Sequence, residues 1–165
     1  MENLFIHLIW DGPYNLDSIK NLKNLSEDRG LYQIYGQHSL YGHSVLIYIG
    51  KAEDQTFSKR ITQEDWSYWH DDSKNIEIYV GRVADKISVE SEEIKRRISI
   101  SEKLLIFAHC PVYNTSNSKG VYRDVEKEYH VLNWGKKRDI FPEVSAMRFS
   151  CHNEYISEYK PLIFA

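Results

Sequence analysis

The side chains with the most chemical potential in this chain are Tyr32, Tyr48, Arg60, Glu102 and Asn114. Tyr32 closes the run Gly30-Leu31-Tyr32 and Tyr48 opens the run Tyr48-Ile49-Gly50. Arg60 follows Gly50 by ten residues, and Glu102 precedes Asn114 by twelve in ISEKLLIFAHCPVYN. An arginine can donate to a phosphate and to the charge that develops on phosphoryl oxygens in a transition state. A glutamate is a hard oxygen ligand suited to Mg2+, with Mn2+ as a possible substitute; Mg2+ keeps several waters and usually takes one or two carboxylates. Phenols near pKa 10 do proton chemistry at neutral pH only if a nearby cation lowers that value. Each residue also has an ordinary use. The tyrosines can be a cross-strand pair, Arg60 can pair with Glu64 one turn on, Glu102 can be a solvated helix residue, and Asn114 can form a turn after Pro111.

The elements that must position these residues are readable from local pattern. Leu31 to Tyr35 and Val45 to Ile49 are rich in β-branched and aromatic residues around a segment of turn formers, which predicts a β-hairpin. Alternation places Tyr32 with Ile34 and Leu46 with Tyr48 on strand faces where the two tyrosines could converge. Thr56 can cap a short helix with Phe57, Arg60, Ile61 and Glu64 on one face. Leu4 to Trp10 reads as a strand ended by a turn at Asp11 to Pro13, and Asn15 can cap a helix through about Leu25. Ile76 to Val83 alternates as a third strand. A helical stretch begins at Ser91 and must end near His109 because Pro111 follows, with one helix or two left open by Ser99-Ile100-Ser101. Asn114 to Lys119 reads as a loop, Val121 to Val131 as a helix, and Val144 to Phe149 as a strand. The expected fold is one α+β domain over residues 1–165, a small antiparallel sheet flanked by helices.

Composition bounds the function. At 165 residues, with 42% hydrophobic and 27% charged, the chain suits a single domain with a full core. No apolar run approaches a membrane span, and Met1 to Trp10 lacks a secretory pattern, so the expectation is a soluble, cytoplasmic protein without membrane association. Cys110 and Cys151 each sit beside a histidine, which makes a zinc site conceivable, but no ligand pair has CxxC spacing. A net charge of −3 does not advertise a nucleic-acid binder. Its distribution is uneven: Lys119 to Arg138 holds six basic and three acidic residues, and Glu53 to Asp72 six acidic and two basic. Solvated surface is the commoner meaning of such runs.

In that order and spacing, GLY at 30–32, YIG at 48–50, Arg60, Glu102 and Asn114 resemble the GIY-YIG nuclease superfamily, over about half the chain from Gly30 to Asn114. The resemblance implies a Mg2+-dependent endonuclease acting on double-stranded DNA. Tyr32 would be the general base or orient the attacking water, and Tyr48 would position that water or a phosphate oxygen. Arg60 would bind the scissile phosphate, Glu102 the metal, and Asn114 would match the family's late asparagine. Many members carry His or Tyr four residues after the arginine, where this chain has Glu64. His70, in DWSYWHDD, is an alternative proton shuttle or an exposed loop histidine. The hairpin also exceeds the family's compact loop, and Gly36 to Ser44 either reaches a DNA groove or is a long turn.

The flanks, 1–29 and 115–165, are long enough to carry sequence reading in place of a separate DNA-binding domain, as in small restriction endonucleases that often work as homodimers. In NWGKKRDIFPEV, the cluster Lys136, Lys137 and Arg138 suits phosphate contact beside a stacking aromatic. The expected function is restriction or phage defence. A structure-specific or mobile-element nuclease and a catalytically inert DNA-binding module of the same fold are the alternatives.

Overall fold

A computed structural model of the protein describes residues 4–64, 75–84, 92–116 and 129–146. The fold is mixed α+β. Six strands, β1 (Leu4–Tyr14), β2 (Gly30–His38), β3 (Gly42–Ala52), β4 (Glu77–Val83), β5 (Tyr129–Gly135) and β6 (Glu143–Ser145), form one sheet in the order β3-β2-β4-β1-β5-β6. Among the described residues two α-helices, α1 (Phe57–Thr62) and α2 (Glu92–His109), accompany it.

Alternation along β2 sends side chains to both faces, and both are covered. Leu31 and Tyr35 join the core beneath α2, with Ile98, Leu104 and Leu105. Tyr32 and Ile34 join the core beneath α1, with Phe57 and Ile61. β2 is therefore a central strand, and β3 lies at the sheet edge beside it. The hairpin is in register with Tyr32 opposite Gly50 and Ile34 opposite Tyr48. Its strands run on to His38 opposite Gly42, so most of the expected long turn is strand. Leu40 and Tyr41 remain exposed at the tip.

Several expectations change in the folded chain. The sheet is not purely antiparallel, because β5 pairs parallel to β1 from Leu4 opposite Tyr129 to Trp10 opposite Gly135. Residues 129–131 accordingly belong to a strand and not to the expected helix; Tyr129, Val131 and Asn133 are the buried alternate positions. The turn at Asp11 to Pro13 is a register shift within β1, which resumes its pairing with β4 at Tyr14 opposite Ile78. The helix expected from Asn15 shrinks to a 3-10 turn at Ser18–Asn21. Its N-cap is Asp17 and not Asn15, although Asn15 Oδ1 accepts from Ser18 N at 2.7 Å. The chain then leaves helical geometry as Asn24 bonds locally, accepting from Ser26 N and Ser26 Oγ. By contrast, α2 is a single helix across Ser99-Ile100-Ser101.

Candidate functional site

Two glycines set the geometry between the tyrosine strands. Gly30 has φ +144°, and a Cβ there would overlap the Gly81 carbonyl oxygen, so only glycine lets β2 lie this close to β4. At Gly50 the constraint is space. A Cβ would lie 2.5 Å from both Cζ and Oη of Tyr32 and 2.7 Å from Cε1 of Tyr48. Tyr32 thus crosses over the bare backbone of its partner strand, and the two phenol rings meet with centroids 6.0 Å apart.

Thr56 caps α1 by accepting from Lys59 N, which presents Arg60 and, just past the helix end, Glu64. The Tyr32 hydroxyl donates to Glu64 Oε1 at 2.5 Å. Arg60 Nη2 lies 2.9 Å from the same oxygen. The Arg60–Glu64 pair is the ordinary use open to the arginine in the sequence, but here it is joined to a catalytic candidate. Burial, and next the Glu64 charge, hold the Tyr32 phenol far above its ordinary value. Tyr48 is also raised, chiefly by burial. Among the described residues Arg60 opposes the rise without bringing either phenol below its usual range.

α2 brings Glu102 to the other side of β3. A cleft of about 220 Å³ is lined by Lys51, Glu53, Asp54, Gln55, Arg60 and Glu102. Lys51 Nζ lies 2.9 Å from Glu53 Oε2, 2.5 Å from Ser99 Oγ and 3.9 Å from Glu102 Oε2. Burial pushes the Glu102 carboxyl up to about 7, against the opposing pull of Lys51; the Glu53 charge adds to the rise. A largely buried carboxyl at the wall of an open cleft fits a hard cation that keeps most of its waters. Among the described residues no cluster of three or more His, Cys, Asp or Glu forms a closed metal cage. Lys51 and Glu53 were not singled out in the sequence, although Lys51 directly follows the YIG run.

Asn114 acts on the backbone. Its Oδ1 accepts from Ile49 N at 2.9 Å and its Nδ2 donates to Ile49 O at 2.8 Å. It therefore pairs the free edge of β3 between Tyr48 and Gly50, as a further strand would. Replacing it with Ala should strip both bonds and lower stability by about 1–3 kcal/mol, read as a fall in the urea midpoint at unchanged m-value.

The basic cluster of the sequence is divided. Arg138 packs 3.9 Å above the Tyr35 ring and pairs with Glu77. Lys137 Nζ donates to Ile140 O at 2.9 Å. Lys136 is exposed, 3.5 Å from Asp11. His70, Cys151 and His152 lie outside the described residues. His109 accepts from Phe141 N, and burial lowers it to about 4.

Comparison of the chain with protein-family models, curated proteins and solved structures found no match. Among the described residues no helix is long and apolar enough to cross a membrane.

Proposed function

We propose that this chain is a Mg2+-dependent endonuclease of GIY-YIG type that hydrolyses phosphodiester bonds in double-stranded DNA. The observation carrying this reading is that one fold gathers Tyr32 from β2, Tyr48 from β3, Arg60 from α1 and Glu102 from α2 around the exposed edge of the hairpin. Glu102 would hold the cation with Glu53 nearby. When bound, that cation supplies stabilisation of charge on the phosphoryl and leaving oxygens. Arg60 anchors the scissile phosphate, since its guanidinium is half-exposed at the cleft and already oriented by Glu64. The Tyr32–Glu64 pair handles the proton of the attacking water. Asn114 fixes the strand that carries Tyr48.

Support for a restriction or phage-defence role comes from the flanks. β1, β5 and β6, drawn from residues before 30 and after 114, pair into the same sheet as the hairpin. The exposed hairpin tip at Leu40 and Tyr41 and the exposed Lys136 are the surfaces proposed to contact DNA, with Lys136 on the phosphate backbone. Lys137 and Arg138 would contribute by shaping that surface from within. Incubation of phage genomic DNA with the protein should give cleavage in Mg2+ and none in EDTA. Discrete fragments are expected; intact DNA in both Mg2+ and Mn2+ would overturn the nuclease reading, and nicks or smears would overturn the restriction assignment.

A further inference from the structure

The phenol assigned to the water by resemblance is sealed. Tyr32 has 0% exposure, and its hydroxyl proton is donated to Glu64. Glu64 retains 15% side-chain exposure. Both of its contacts, from Tyr32 and from Arg60, fall on Oε1; among the described residues Oε2 takes no hydrogen bond or ion pair. We propose that Glu64 is the general base of this site: Oε2 accepts the proton of the attacking water, while Tyr32 and Arg60 are positioning residues that hold the carboxylate through Oε1.

The chemistry favours this division. A base must touch the water it deprotonates, and geometry comes before basicity in choosing one. The Tyr32 phenol would first have to lose a proton that burial and the neighbouring carboxylate hold in place. Among the described residues the groups facing Glu64 are Arg60 from α1, Tyr32 from β2 and Tyr48 from β3. Arg60 is also the proposed phosphate donor, so the same guanidinium that steadies the base would bring phosphorus beside it. In the step, a water oxygen forms the new bond to phosphorus as its proton passes to Oε2. The bond to the leaving oxygen breaks with its electron pair, that oxygen takes a proton from solvent, and Glu64 afterwards returns its own to solvent.

This assignment rests on the nuclease reading, and the experiment separates the two. Single-turnover cleavage of phage genomic DNA in Mg2+ is measured for the wild type, Glu64→Gln, Glu64→Ala, Glu64→Asp and Tyr32→Phe, with thermal melts as a check on folding. Glu64→Gln keeps an oxygen for the Tyr32 hydroxyl but loses the base, and its rate should fall about a hundred- to ten-thousandfold. Glu64→Ala should regain part of its rate in added formate and none in chloride at the same ionic strength. Glu64→Asp, a shorter base, should retain more activity than Gln. Tyr32→Phe removes only an orienting bond and should lose about tenfold. Because Glu102 titrates near neutrality, formate rescue is a cleaner discriminator than the pH profile. Near-wild-type cleavage by Glu64→Gln overturns the assignment alone. So does loss in Glu64→Ala that formate does not repair, or a Tyr32→Phe defect as deep as that of Glu64→Gln. Intact DNA with the wild type in Mg2+ and Mn2+ overturns the nuclease reading and this role together.

Discussion

Glu102→Gln should reduce DNA cleavage by several orders of magnitude while leaving DNA affinity in EDTA level or higher. The substitution keeps size and hydrogen-bonding capacity and removes the charge that a hard divalent cation requires. Metal stabilisation of the phosphoryl group and of the leaving oxygen would be lost together. Affinity should not fall, because one negative charge near the scissile phosphate disappears.

The raised carboxyl adds a second signature. Folding moves Glu102 from 4.5 to about 7, so between those values the native chain binds a proton that the unfolded chain has released. Its contribution to stability is greatest below the unfolded value and is lost as pH rises through about 7. Glu102→Gln should therefore be more stable than the metal-free wild type at pH 8, by about 1–3 kcal/mol, and melt higher, and the gap should close towards pH 4.5. Mg2+ competes with that proton, so binding to the wild type should strengthen as pH climbs through 7. Wild-type cleavage by Glu102→Gln, or a melting difference independent of pH, would remove Glu102 from the metal site.

The parts legible in the sequence are those set by short-range rules. The hairpin followed from alternation, α1 from the Thr56 cap, and the end of α2 from Pro111. What the sequence concealed depends on partners far along the chain. β5 lies beside β1 across roughly 120 residues, and its alternation at Tyr129, Val131 and Asn133 was hidden by apolar positions upstream that also suit a helical period. Arg138 looked like one of three basic residues, yet its nearest partners are Tyr35 and Glu77 on β2 and β4. The site behaves the same way. Tyr32, Arg60 and Glu102 could be named from spacing, whereas the Lys51–Glu53–Ser99 contacts beside Glu102 exist only because α2 packs near the β3 edge. The exposure that distinguishes Glu64 from Tyr32 likewise belongs to the packed chain and to no local pattern.

Gly50→Ala should abolish most activity with the fold retained, because a single methyl would enter the space where both phenols meet. That methyl would stand 2.5 Å from Tyr32 Oη and Cζ and 2.7 Å from the Tyr48 ring, distances at which the rings must move. Tyr32 cannot retreat freely, being buried among Ile34, Ile61 and Val80. Such overpacking costs about 1–3 kcal/mol, within the stability of a typical domain, so the protein should still melt cooperatively at a lower temperature. The chemistry is less tolerant. Shifting Tyr32 pulls its hydroxyl from Glu64 Oε1, and Glu64 then holds Arg60 in a different place. A displacement of about 1 Å in such a group costs about a hundredfold in rate, and here three groups would move together. The outcome separates packing from catalysis through a second substitution at a similar distance from the chemistry. Ile49→Val, on the residue before Gly50, trims a buried side chain on the other face of β3 at a comparable 0.5–1.5 kcal/mol and should cut DNA at close to the wild-type rate. Equal activity loss in the two variants would trace the effect to stability alone. A cooperative melt with cleavage lost only in Gly50→Ala would show that the glycine is there to keep Tyr32, Glu64 and Arg60 in place together.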